Sequence, residues 1–193
     1  MPGDAVNSLL VSGKNASHAV RGDVIMEYAE QTLLLVEDLP EDIELATQAL
    51  RQCGHIDKIV IVRDGLEALD YLFVEGIFAK RDRSLQPSVV LLDLKLPRLS
   101  GFDVLARVHS DPRTYRTPIV IHTSSTDAFD INRAYELGAS SFVRKHQDFS
   151  LYAAALKKIA DYWLEVNVPP VSPKFLAARA VSKRARGANS SDS

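Results

Sequence analysis

The feature that most constrains this chain is a rhythm of short apolar runs separated by amphipathic stretches. "TLLLV" (32–36), "KIVIV" (58–62), "SVVLL" (88–92), "PIVIH" (118–122) and "SFVR" (141–144) have the length and composition of β-strands. Three of them are apolar nearly throughout, the pattern of strands covered on both faces and therefore of a parallel sheet. Between them, residues 41–53 place Ile43, Ala46, Ala49, Leu50 and Cys53 on one stripe, 66–74 follow the glycine of "RDG", and 101–109 carry Phe102, Leu105 and Val108. Thr126 or Asp127 is placed to cap a helix that stops at Gly138. Asp148 is placed to cap a last helix reaching about Leu164, with Tyr152, Leu156, Ile159 and Trp163 at helical spacing. The order predicts an α/β fold, a doubly wound (βα)5 sandwich with helices on both faces of a five-stranded parallel sheet.

The ends depart from this rhythm. Residues 1–30 show no sustained periodicity and are expected to form a flexible N-terminal extension ahead of one domain at 31–168. Residues 169–193 are rich in Pro, Ser and Ala and hold five basic residues against one acidic, although the whole chain carries a net charge of only −2. A basic, disordered tail is expected there, and its cations lack the interleaved aromatics of a nucleic-acid surface. The single cysteine excludes an intrachain disulfide. With no apolar run of spanning length, the expected location is cytoplasmic. The five histidines, His18, His55, His109, His122 and His146, do not fall into a metal-ligand spacing.

In open α/β sheets the working groups collect at the C-terminal ends of the strands. Here those ends offer Glu37 and Asp38 after the first strand, Asp93 after the third, Thr123 after the fourth and Lys145 after the fifth. Three carboxylates brought together raise one another's pKa unless a cation sits among them. An oxygen-coordinated divalent ion, Mg²⁺ in particular, satisfies that need. Lys145 would balance the remaining charge and bind a phosphoryl group, to which Thr123 could donate its hydroxyl. Taken singly, Asp93 could merely cap a turn before Pro97, Glu37 and Asp38 could cap the helix at Pro40, and Phe142 could be plain core. For Asp93, the coincidence with four other strand-end groups argues otherwise.

"LLLVEDLPED", "VVLLDLKLPRLSGFDVL", "TPIVIHTSS" and "LGASSFVRK" resemble the receiver domain of two-component response regulators over about residues 31–165. "VRDGLEALDYLFVEGIFAKRD" and "IADYWLEV" are similar to single-domain regulators that partner bacteriophytochrome histidine kinases. The resemblance implies the flavodoxin-like strand order 2-1-3-4-5 and a protein that is a phosphoacceptor rather than an enzyme acting on a separate substrate. It implies Asp93 as the acceptor, Thr123 and Lys145 as holders of the phosphoryl oxygens, and Phe142 as an aromatic switch residue. Mg²⁺ would be held by Glu37, Asp38, Asp93 and the backbone carbonyl of Lys95. It also implies a homodimer through the fourth and fifth helices and the fifth strand.

One departure from the family stands out. Proline usually follows the active-site lysine in a cis peptide, and this chain has His146 there. Because a cis bond before a non-proline costs about 2.5–4 kcal/mol, a trans loop is expected, with Lys145 still in reach through its flexible stem. Among rivals, aspartyl-nucleophile phosphatases need a second Asp where Lys95 stands, and no Gly-rich phosphate loop follows a strand. A phosphorylation-independent adaptor or dimerisation module with the same fold is the remaining alternative.

Overall fold

The structure, a computed structural model, describes residues 31–169 apart from 55 and 57. The expectations for residues 1–30 and for the tail from 170 onward lie outside the described residues. Five strands, β1 (Thr32–Val36), β2 (Lys58–Val62), β3 (Val89–Leu92), β4 (Ile119–Thr123) and β5 (Ser141–Arg144), alternate with five helices. These are α1 (Pro40–Arg51), α2 (Gly65–Phe73), α3 (Gly101–Ser110), α4 (Ala128–Glu136) and α5 (Phe149–Ala160). The sheet is parallel, in the order β2-β1-β3-β4-β5.

Alternate strand residues feed two separate cores. Leu34, Val36, Val60, Val62, Val90, Leu92, Ile119 and Ile121 pack with α2 and α3, while Leu33, Leu35, Ile59, Val89, Leu91 and Val120 pack with α1 and α5. The central strands β1 and β3 are buried along their whole length, which accounts for their unbroken apolar sequences.

Helix starts follow local chemistry, with one exception. Asp64, Ser100, Asp127 and Asp148 each accept backbone N–H bonds at the starts of α2, α3, α4 and α5. At α1 the cap residue is Leu39, whose side chain cannot cap, and Pro40 opens the helix instead. The capping role considered for Glu37 and Asp38 is thereby corrected. The helix ends at Arg51, so Cys53 lies in the turn beyond it. After Ala160, α5 widens into a π-helical turn over Asp161–Val166 rather than stopping near Leu164. No helix of the described residues is long and apolar enough to cross a membrane.

His122 occupies an unusual place in this core. It is buried in β4 with its ring centroid 5.2 Å from that of Tyr152 on α5, and its Nε2 has no hydrogen-bond partner. Burial, reinforced by the Lys145 charge, holds its pKa down to about 4. An unfolded histidine titrates near ~6.5, so on acidification the unfolded chain takes up this proton before the folded one does. The stabilisation from a neutral His122 is complete above that value and is lost as the pH falls toward about 4. Substituting His122→Phe should therefore flatten the loss of stability across this window, read as the change in urea midpoint with pH relative to the parent protein.

Candidate functional site

The hydrogen-bond ladder continues one residue beyond three of the strands. Glu37 N–H donates to the Val62 carbonyl at 3.1 Å, Asp93 N–H to Val36 at 3.1 Å, and Lys145 N–H to Thr123 at 2.8 Å. Each of the three is the first residue past its strand, and each is pinned by a neighbouring strand. Thr123 is itself the last residue of β4 and is fully buried. The sheet thus fixes these backbones before any side chain makes a contact.

The side chains then converge. Glu37, Asp38 and Asp93 each present a carboxylate oxygen within 4.8 Å of the others. The Lys145 ammonium donates to Glu37 Oε2 at 2.5 Å, to Asp42 Oδ2 at 2.7 Å and to Asp93 Oδ2 at 3.1 Å. The other Asp93 oxygen accepts the Leu94 N–H at 2.6 Å, and the Lys95 N–H lies 3.5 Å from it. Asp93 is therefore divided between a backbone turn and an ammonium, which answers how a carboxylate is tolerated at the mouth of an apolar strand.

Charge balance governs the cluster. Burial disfavours the Lys145 ammonium, but the Asp93 charge and the hydrogen bonds to Asp42 and Glu37 outweigh it and hold its pKa above the usual lysine value. Glu37 behaves differently: burial pushes its pKa up to about 7 against the pull of Lys145. The donor set is all oxygen and anionic, which fits a hard divalent ion.

The loop after β3 is held from both sides. Gly101, which opens α3, donates its N–H to the Leu94 carbonyl at 3.0 Å, and a Cβ at Gly101 would meet the Asp93 carbonyl oxygen at 2.2 Å. Only glycine lets α3 approach the Asp93 backbone so closely. Farther along the loop, Arg98 sits at φ 61° and pairs with Asp64, whose Oδ1 also accepts the Leu66 and Glu67 N–H groups at the start of α2.

Of the remaining expected residues, Thr123 stands at the same edge, whereas Phe142 lies two positions back along β5, opposite Ile121. The Thr123 hydroxyl accepts the Ser125 N–H at 3.4 Å, and the Ser125 hydroxyl donates to Asp130 of α4 at 2.6 Å. Phe142 is half-buried against the core shared with α2 and α3. The described residues contain no cis peptide, so the link from Lys145 to His146 is trans and Lys145 reaches the site all the same. Asp42 escaped the sequence reading. Strand ends announce themselves by position, whereas Asp42 lies in the first turn of α1, and only the packing of that helix aims it at Lys145.

Residues 33–157 match the response regulator receiver domain. The chain belongs to that family. The receiver domain is 37% identical over 150 residues to the probable methanogenesis regulatory protein FilR2 of Methanothrix harundinacea, covering 77% of this chain and 94% of FilR2. It is 31% identical over 142 residues to the response regulator Rcp1 of Synechocystis, covering 74% and 95%. The Mn²⁺-bound form of Rcp1 superposes with a TM-score of 0.68 at 30% identity, over 73% of this chain and 99% of that one. The phosphorylated cyanobacterial phytochrome response regulator RcpA gives a TM-score of 0.69 at 36% identity, over 74% and 100%.

A divalent ion held among these carboxylates would favour the ionised form of Glu37, so a proton would compete with it. Mg²⁺ affinity should rise as the pH climbs through about 7 and level off above it. Titration calorimetry of the parent protein and Glu37→Gln between pH ~6 and ~8 checks this, the expected slope below the Glu37 pKa being up to about tenfold per unit. The variant should bind more weakly and show a flatter profile.

Proposed function

We propose that this chain is a single-domain response regulator that accepts a phosphoryl group on Asp93 from a phosphohistidine of a histidine kinase. The observation that carries this reading is the convergence of the Glu37 and Asp38 carboxylates and the Lys145 ammonium on the carboxylate at the end of β3. In the transfer, an Asp93 oxygen forms a new O–P bond as the N–P bond to the kinase histidine breaks, and the electron pair stays with the leaving imidazole. Glu37, Asp38, Asp93 and the Lys95 carbonyl would hold Mg²⁺, which neutralises charge on the phosphoryl oxygens when bound.

The protein's own groups do the rest. The Leu94 N–H and the Lys145 ammonium orient the Asp93 carboxylate. Lys145 and Thr123 hold phosphoryl oxygens, and drawing in the Thr123 hydroxyl releases the Ser125 N–H it accepts. Ser125 is tied to Asp130, so this release touches α4, and Phe142 on β5 repacks with it. The kinase is read as a bacteriophytochrome on the strength of the sequence signatures and of the likeness to RcpA.

The output surface in this reading is the face of α4, β5 and α5, where Phe129, Tyr135 and Leu151 stand 67%, 51% and 55% exposed. Large exposed apolar side chains of this kind suit a second copy of the chain. Sedimentation of the parent protein and of Phe129→Asp should show a dimer reduced to a monomer.

The decisive test of phosphoryl acceptance is incubation with Mg²⁺ and labelled acetyl phosphate or kinase. Base-labile label should appear on the parent protein and be absent from Asp93→Asn. Label on neither would favour an adaptor that works without phosphorylation.

A further inference from the structure

Within this acceptor reading, one residue of the cluster has no assigned part. Asp42 is not among the three carboxylates whose oxygens lie close enough to share an ion. Its carboxylate nonetheless holds Lys145 at 2.7 Å, closer than Asp93 does at 3.1 Å. It also differs in origin: Glu37 and Asp93 extend from strand ends, whereas Asp42 comes from the first turn of α1. Its side chain is 28% exposed, against 2% for Glu37 and 8% for Asp93.

We propose that Asp42 is a positioning residue that moors the Lys145 ammonium from the α1 side. Without it, the ammonium would rest wholly on Glu37 and Asp93. Those are two of the three carboxylates placed to engage a divalent ion, so an unmoored Lys145 competes with the ion for them. With Asp42 present, the ammonium keeps one full partner outside the metal cluster. It can then give ground at Glu37 and Asp93 without leaving the site. The Lys145 backbone cannot substitute for this restraint, because its N–H bond to Thr123 fixes only where the side chain starts. A long, flexible lysine stem needs a fixed acceptor at its far end.

The test is a double-substitution cycle on the full chain, with Mn²⁺ alone as the probe and electron paramagnetic resonance counting free ion. Asp42→Asn should weaken Mn²⁺ binding about threefold or more when Lys145 is present. In a Lys145→Met background the same substitution should have a clearly smaller effect, since only the direct loss of a nearby charge remains. An equal effect in both backgrounds, or none in the first, overturns the proposal. Should Lys145→Met fail to fold, ¹⁵N-lysine spectra of the parent and Asp42→Asn decide: the Lys145 ammonium signal should shift and its hydrogen exchange quicken in the variant, and an unchanged signal overturns the idea. A parent protein that binds Mn²⁺ but takes no label on Asp93 would sink the acceptor reading while leaving the mooring intact. A parent protein that takes label, with Asp42→Asn indistinguishable from it in the cycle, would do the reverse.

Discussion

One buried ammonium organises the working edge of this protein. Lys145 contacts carboxylates from three separate elements, α1 and the ends of β1 and β3, while its own backbone is bonded to β4. Removing a single positive charge would leave three acidic groups facing each other in a partly dry pocket, and a lone buried charge is far more costly than a paired one. Even so paired, Glu37 keeps a raised pKa, chiefly because it is buried.

The sheet makes such convergence possible. Parallel strands all end at the same edge, so residues far apart in sequence emerge side by side, each located by a main-chain bond to its neighbour. The two cores on either side of the sheet then clamp the strands. The site inherits its precision from this packing rather than from the loops themselves, and Gly101 shows how little slack remains between α3 and the Asp93 backbone.

Much of this was legible in the sequence, for identifiable reasons. Burial on both faces writes itself as an unbroken apolar run, and each of the five strands lies within one residue of its expected place. Asp127 and Asp148 were visible as caps because their side chains do the capping. The start of α1 was harder, since Leu39 contributes no side-chain bond and a proline alone opens the helix. The widened turn after Ala160 has no signature in residue type, because a π-helical turn differs from an α-helical one in hydrogen-bond partners and not in composition. Asp42 was hidden for a related reason. Which way a helical side chain points depends on how the helix lies on the sheet, and that is decided by the core.

The Arg98 and Asp64 pair ties distant parts of the chain together. One carboxylate both starts α2 and clasps the far end of the segment that begins at Asp93, and Gly65 packs where a larger residue would strike Leu99. The start of α2 and the loop after β3 are thus fastened to each other at two points, one electrostatic and one of close packing.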